Sequence, residues 1–268
     1  MRHLSSGEFL ADESRTIAIG EVLVSHTRYL NPVYEGWHSH RNMHFSYALD
    51  GGNIEQRRAD SIKVSRGSVL VYQSGETHCN SKTEHPSQNI IVELPPEFLA
   101  SFHLKEPELK LALITHPEAS LVFANIFKEL QLRSYLGLTP TASIQLYALS
   151  LLELASSSNM CPRDLHWSSR IYEVIHDRWN DDLSLSDIAK DAGVHPVTVS
   201  RYFSHYFGYN LGDYLRMLRI THALQLIRSP GMSLTEIAHH CGFFDQSHFI
   251  KAFKLYVGIT PSDYRKLR

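Results

Sequence analysis

The sequence predicts an α+β chain of two domains: an N-terminal antiparallel β-barrel with flanking helices, then a C-terminal all-α domain with two helix-turn-helix units joined by a long helix. Three observations predict this. Residues 16 to about 94 fall into short apolar or alternating runs divided by turn residues. From about Glu106 onward apolar positions recur with helical period. A stretch near residues 185–214 returns near 234–264, and internal repeats constrain a fold more firmly than propensities do.

The expected strands are 16–25, 43–49, 62–64, 68–73 and 89–94. Asp50-Gly51-Gly52-Asn53, Arg66-Gly67 and Ser74-Gly75-Glu76 supply turn chemistry between them, which favours an antiparallel barrel or sandwich over a parallel sheet. There is no glycine-rich nucleotide-binding motif. Pro95-Pro96 closes the β-region, and two helices follow, with Phe123, Phe127 and Leu130 on one face and Ile144, Ala148, Leu151 and Ala155 on another. Two uses of these faces stay open: covering the barrel, or leaving an apolar stripe for a homodimer contact. Ser156-Ser157-Ser158-Asn159 and Cys161-Pro162-Arg163 read as a linker. The expected boundaries are therefore a barrel at 1–103, a helical pair at 104–158, a linker at 159–168 and the all-α domain at 169–268.

Composition limits the class. The chain has 268 residues, 43% of them apolar and 20% charged, with formal net charge −2, which is ordinary globular usage. No apolar run approaches the roughly 20 residues that span a bilayer, so no membrane partner is expected. The start, Met1-Arg2-His3-Leu4-Ser5, lacks the apolar core of a signal peptide, and a cytoplasmic location is expected. Cys79, Cys161 and Cys241 are odd in number and about 80 residues apart, which predicts reduced core thiols in place of a disulfide framework or thiolate zinc site.

In the C-terminal half, Leu185-Ser186-Asp187-Ile188-Ala189-Lys190-Asp191-Ala192-Gly193 matches Leu234-Thr235-Glu236-Ile237-Ala238-His239-His240-Cys241-Gly242 at an offset of 49 residues. Beyond the glycine, Arg201, Phe203, Gly208, Asp213 and Tyr214 match Lys251, Phe253, Gly258, Asp263 and Tyr264 at an offset of 50, so one residue is inserted in the second turn. Ser184 or Ser186 is placed to cap the first helix, Gly193 to end it and Pro196 to open the next. A helix, a tight turn and a second helix that begins with small polar residues is what entry into a DNA major groove requires. A single helix over 211–227, with Leu211, Leu215, Leu218, Ala223 and Leu226 along it, would fix the separation of the copies. Placed in successive major grooves they lie about 34 Å apart and one chain spans roughly 20 base pairs.

Charge distribution points the same way. Residues 1–166 carry 14 basic and 18 acidic side chains, net −4, whereas 167–268 carry 12 and 10, net +2. Within the latter, 195–228 has Arg201, Arg216, Arg219 and Arg228 against a single Asp, and 246–268 has five basic residues against Asp263. Such asymmetry suits double-stranded DNA as the partner.

The stretch Ile237-Ala238-His239-His240-Cys241-Gly242-Phe243, followed by Asp245-Gln246-Ser247-His248-Phe249, Phe253-Lys254, Gly258-Ile259-Thr260-Pro261 and Tyr264-Arg265, resembles the signature of the AraC/XylS transcriptional regulators. The resemblance covers residues 167–268. It implies a seven-helix domain that binds promoter DNA. Carried over position by position, it implies base reading by Val197, Thr198, Ser200 and Arg201 from the first unit and by Gln246, Ser247, Ile250 and Lys251 from the second. Arg201 suits guanine, Gln246 adenine, and Val197 or Ile250 a thymine methyl. His205, Lys254 and Arg268 are expected on phosphates, and Asp245 at the cap of the second recognition helix. An activator of this kind would also touch RNA polymerase.

The β-region holds a second constellation, Trp37-His38-Ser39-His40 with His44, then Gly67, Gln73, Gly75 and His78. In a strand His38 and His40 share a face, and His44 shares it too if the strand runs on without a bulge. The pattern resembles the two motifs of the cupin barrel, with His44 where an acidic ligand would stand and Gln73 in place of a proline. Similar barrels in many family members bind a small effector. His38, His40, His44 and His78 are thus expected to form an effector pocket, with Trp37 and Tyr47 lining it. No cofactor is required. Three uses of the histidines stay open: a divalent metal (Zn²⁺, Ni²⁺ or Fe²⁺), a metal-free effector pocket, or structure alone. The expected function is an effector-controlled, sequence-specific transcriptional regulator and no enzyme. The alternatives are a metal-dependent cupin enzyme fused to a DNA-binding domain and a regulator without effector.

Overall fold

The structure is a computed structural model that describes residues 1–32, 36–58, 60–108, 113–114, 116–136, 141–158, 166–228 and 231–267. Two units partition the chain, Met1–Asn159 and Met160–Arg268. The first is built on strands β1 (Arg2–Leu4), β2 (Glu13–Ile19), β3 (Val22–Tyr29), β4 (His38–His40), β5 (Met43–Asp50), β6 (Asn53–Gln56), β7 (Ser61–Val64), β8 (Val69–Tyr72), β9 (Cys79–Ser81), β10 (Ser87–Leu94) and β11 (Leu113–Ile114). Its helices are α1 (Pro96–Ser101), α2 (Pro117–Leu136) and α3 (Thr141–Ser158).

The run expected as one strand over 16–25 is a hairpin that folds back at Gly20-Glu21, pairing Ile17 with Val24 and Ile19 with Val22. A six-stranded antiparallel sheet follows the order β11-β8-β5-β10-β3-β2, and a smaller one the order β7-β6-β9. A short parallel pair, β1 with β4, and a single bridge between His38 and His78 connect the rest. Among the described residues the β-domain is thus assigned to three sheets, two antiparallel and one a short parallel pair. Short strands β1, β4, β6, β9 and β11 carry too few residues for a periodic signal, which is why the sequence did not mark them.

Residues of the two expected helical faces are consumed inside this unit. Phe123, Phe127, Ile144, Ala148, Leu151 and Ala155 are all buried, and Tyr47 stacks on Phe123 at 5.2 Å. Burying them removes apolar area from water at about 25 cal/mol per Å²; Leu130 of the first face is half-buried, and among the described residues of α3 Leu146 is a large exposed apolar side chain. After the short α1 the next helix among the described residues starts at Pro117, beyond Glu106, and α3 runs through Ser158, past the serines expected to break it. Cys161 lies outside the described residues; Cys79 and Cys241 are buried thiols, neither of them in a disulfide among the described residues.

The second unit is helical throughout: α4 (His166–Asp177), α5 (Leu185–Asp191), α6 (Pro196–Phe207), α7 (Leu211–Ile227), α8 (Leu234–His240), α9 (Gln246–Val257) and α10 (Pro261–Lys266). The repeat seen in the sequence is a repeat of packing. Ile188 and Ile237 are fully buried, as are Phe203 with Phe253 and Tyr214 with Tyr264. The rings of Phe203 and Tyr214 meet edge-on at 5.9 Å, and those of Phe253 and Tyr264 at 5.7 Å. Among the described residues no helix is long and apolar enough to cross a membrane.

Candidate nucleic-acid interface and histidine pocket

Each helix-turn-helix is fixed by the same local chemistry. Ser184 and Ser233 open α5 and α8 with reciprocal capping boxes, the partners being Asp187 and Glu236. After α5 and α8 the chain turns through Gly193 (φ +70°) and Gly242 (φ +71°), left-handed values that side chains with a Cβ resist. The next amide donates back in both copies, Val194 to the Ala189 carbonyl and Phe243 to that of Ala238, each at 2.9 Å. The caps of the second helices then differ. Asp245 accepts from the His248 amide at 2.6 Å, as expected from the sequence, whereas His195 caps α6 with its ring, accepting from the Val197 amide at 3.2 Å. Phe243 and Asp245 stand where Val194 and His195 stand in the first copy, so Phe244 is the inserted residue, and it is 87% exposed.

On α6, Val197, Ser200 and Arg201 are exposed and Thr198 is half-buried; on α9, Ser247 and Lys251 are exposed, with Gln246 and Ile250 half-buried. Gln246 accepts from the Thr235 hydroxyl at 2.7 Å, which ties α9 to α8. His205 and Lys254 are exposed on α6 and α9. Arg268 lies outside the described residues.

Four arginines counted toward the basic face do structural work instead. Arg216 pairs with Asp213 at 2.5 Å, Arg228 donates to the Leu267 carbonyl, and Arg265 donates to the carbonyls of Ile227 and Met232. Arg219 donates to the carbonyls of Trp179 (3.1 Å) and Asp181 (2.7 Å), in the turn between α4 and α5. That turn also abuts Gly242: a Cβ there would stand 2.4 Å from the Asn180 carbonyl oxygen and 3.1 Å from Nε of Arg219. Helix α7, the α4–α5 turn and the turn of the second unit thus share one contact point.

In the first unit, strand β4 ends at His40 and β5 starts at Met43, yet the imidazoles converge. Ring centroids are 4.2 Å apart for His38 and His78, 5.3 Å for His38 and His40, 5.5 Å for His40 and His78, and 4.5 Å for His40 and His44. All four are buried. His44 stacks on Tyr72 at 4.4 Å. Tyr72 donates its hydroxyl to Glu55, which pairs with Arg57 at 2.7 Å; Arg57 bonds Glu76 at 2.6 Å and lies 4.6 Å above the Tyr72 ring. From the other side Phe9 packs 5.3 Å from His40, on a segment held by Ser6 and Gly7 bonding Glu93, whose carboxylate also accepts from Asn42 at 2.6 Å.

Burial disfavours the protonated imidazole. It pushes His40 down to about 3, aided by the neighbouring His38, and His78 down to about 2, aided by His38 and His40. His44 falls well below the usual range and His38 is lowered, for the same first reason. The rings are therefore neutral at pH 7. The cavity they line, with Ser46, Asn53, Leu70 and Asn80 among its other walls, measures about 50 Å³.

A family model described as a helix-turn-helix domain matches residues 188–267. The transcriptional activator AarP of Providencia stuartii is 36% identical over 97 residues, which cover 36% of this chain and 72% of that protein. The chain belongs to the AraC family of transcriptional regulators. The Msm operon regulatory protein of Streptococcus mutans is 30% identical over 125 residues, 47% of this chain; the chain spans only 43% of that relative's length. Among solved structures, ToxT from Vibrio cholerae O395 matches at 13% identity and a TM-score of 0.40, covering 92% of this chain and 98% of that one.

Within this AraC-family chain, the expected DNA residues that are described all lie on α6 and α9. The expected pocket residues divide. His38, His40, His44 and His78 line the cavity. Trp37 is 41% exposed and Tyr47 sits on Phe123, so neither lines it. Strand parity explains Tyr47: His44, Ser46 and Ala48 face the cavity, and the odd position faces α2. The Tyr72–Glu55–Arg57–Glu76 network was not found from sequence, since its members come from different strands and no local spacing marks it. Phe244 was detectable, because the offset changes from 49 to 50 at the second turn.

Proposed function

We propose that this chain is a sequence-specific, DNA-binding transcriptional regulator whose N-terminal unit holds a small ligand that controls it. The observation that carries the reading is the duplicated, capped helix-turn-helix with buried cores that match residue for residue and with Arg201 and Lys251 at corresponding exposed positions. Base reading falls to Val197, Thr198, Ser200 and Arg201 on α6 and to Gln246, Ser247, Ile250 and Lys251 on α9. His205 and Lys254 take phosphates, and Phe244 adds an apolar contact beside the start of α9. The protein works where the chromosome lies, in the bacterial cytoplasm. If it activates, it also meets RNA polymerase; a homodimer would have to use surfaces other than the buried faces of α2 and α3.

Control requires that the ligand bind one conformation better than another. A coupling of about 1–3 kcal/mol between sites is enough. The test is selection of genomic fragments by the full-length protein at two salt concentrations, followed by footprinting. A protected site of roughly 20 base pairs with two motifs a helical turn apart is expected. Salt-sensitive binding without preferred sites, whatever metabolite or metal is added, would overturn the reading.

A further inference from the structure

The cavity in the first unit is walled without formal charge. Its described lining consists of neutral histidines, hydroxyls, carboxamides and apolar side chains, with no carboxylate, lysine or arginine among them. We propose that it binds a short primary amine as its ammonium ion, which donates its N–H groups to His38, His40 and His78, while a second donor of the same molecule meets Asn53 and Asn80. The proposal rests on reading the N-terminal unit as the ligand-holding part of a regulator, and it names the chemistry of that ligand.

The wall is set to accept hydrogen bonds. Nδ1 of His38 lies 3.0 Å from the Gly36 carbonyl, Nδ1 of His78 lies 3.3 Å from that of Glu76, and Nδ1 of His44 lies 3.3 Å from that of Asn42. His40 bonds the Glu8 carbonyl. A carbonyl oxygen only accepts, so each ring carries its proton on the nitrogen facing it and keeps a lone pair on the other. The small sheet adds two more acceptors. Asn53 on β6 and Asn80 on β9 both line the cavity, and Oδ1 of each is buried with no partner. Orphaned buried acceptors are rare in folded proteins, and these two call for a ligand that supplies N–H or O–H groups. The lining hydroxyls of Ser46 and Ser87 can donate or accept and so complement such a ligand, whereas that of Tyr72 is already donated to Glu55.

Spacing selects an ammonium. One ring nitrogen from each of His38, His40 and His78 lies within 4.8 Å of the others, and all three residues are buried. Acceptors placed tetrahedrally around a nitrogen at hydrogen-bond distances of about 2.9 Å stand roughly 4.7 Å apart, close to that limit. Three imidazoles can therefore take the three N–H groups of one primary ammonium. Room sets the length of the chain attached to it. A cavity of about 50 Å³ holds roughly four water-sized groups at about 10–15 Å³ each. That fits a short amino alcohol or diamine and is too small for a long acyl chain.

The surrounding charge has the matching sign. Arg57, behind Tyr72, bonds Glu55, Glu76 and the Val71 carbonyl, so two carboxylates face one guanidinium. Glu93 stands opposite His44 in the β5–β10 ladder, on the same face, and accepts from Asn42, Ser6 and Gly7. An anion would find no countercharge in rings that burial keeps neutral. An ammonium leaving water must recover its lost hydration from fixed acceptors, and this wall supplies them.

The probes are ethanolamine, ethylene glycol and glycolate, three molecules of similar shape that differ in charge, titrated calorimetrically into full-length protein at neutral pH. A chelator is present throughout, so that no metal carries the response. One equivalent of ethanolamine is expected to bind about tenfold or more tightly than the other two, and than choline, whose quaternary nitrogen has no N–H to donate. This series needs no variant to fold. Asn80→Leu should weaken ethanolamine about tenfold and leave ethylamine, which lacks the second donor, unchanged. The proposal is overturned by equal or tighter binding of ethylene glycol, glycolate or choline, by no heat from ethanolamine at millimolar concentration, or by unaltered ethanolamine binding in Asn80→Leu. Footprinting of the same protein separates the two readings: a preferred DNA site in a protein that takes no amine sinks the ligand class alone, and amine binding by a protein with no preferred site sinks the regulator.

Discussion

Gly193 and Gly242 occupy equivalent turns with the same backbone angle, but only one has a neighbour. Alanine at Gly193 meets nothing within 4 Å, so its cost is the left-handed backbone, about 1–2 kcal/mol, less roughly 0.4–1 kcal/mol regained because alanine restricts the unfolded chain. Alanine at Gly242 pays that and more. Its Cβ would stand 2.4 Å from the Asn180 carbonyl oxygen and 3.0 Å from its carbon, both backbone atoms that cannot swing aside. Relief requires a shift of nearly an ångström in a turn that Arg219 holds at two carbonyls, and overpacking of this kind costs about 1–3 kcal/mol further. The expected result is that Gly242→Ala lowers the stability of the second unit about 1–3 kcal/mol more than Gly193→Ala does. Hydrogen exchange on α8 and α9 in the full chain reads this as a difference of roughly 5- to 150-fold in protection, at 1.4 kcal/mol per decade. Equal loss for the two variants, or a greater one for Gly193→Ala, would refute the steric argument.

Arg201→Ala should cost about 1–3 kcal/mol on the preferred site and relax preference at one base pair, while Lys254→Ala weakens all duplexes alike and lowers the salt slope by about one; quantitative binding to specific and random DNA at several salt concentrations checks both. Asp245→Ala should lower the protection of the first turn of α9 by about 1 kcal/mol, measured by amide exchange, because the His248 amide loses its acceptor. His222 stacks on Trp179 at 3.8 Å, and burial with the nearby His240 pushes it down to about 4. Below its ordinary value near 6.5 the unfolded chain takes the proton and the folded one does not. The contribution of His222 is thus complete above about pH 6.5 and lost as the pH falls toward 4, at no more than about 1.4 kcal/mol per pH unit, less for its partial exposure. Urea titration of the full chain between pH 7 and 4.5 should show a shallower decline for His222→Gln; identical slopes would remove His222 from the cause.

Much of the second unit was legible because its determinants are local. Serine caps, the turn glycines, Pro196 and the long helix 211–227 each sit where neighbouring residues demand them. The charge argument was coarser. Counting basic residues treated Arg216, Arg219 and Arg228 as one with Arg201, yet their partners are distant carbonyls and a neighbouring Asp, which only packing reveals. In the first unit the histidines met although the strand expected to align them is broken at Arg41-Asn42, since β4 and β5 still deliver them to one cavity. Tyr47 shows the reverse, a residue whose strand parity was readable and pointed away from the cavity.

The contact of Gly242 with the α4–α5 turn, held by Arg219 from α7, means that neither reading helix can roll without moving the other's support. A duplex must then match the protein in phase as well as in letters. Each base pair inserted between two half-sites turns one of them by about 34–36° around the axis, at 10–10.5 base pairs per turn. Promoters bound by this chain should consequently tolerate changed letters between their half-sites far better than a single added or missing one.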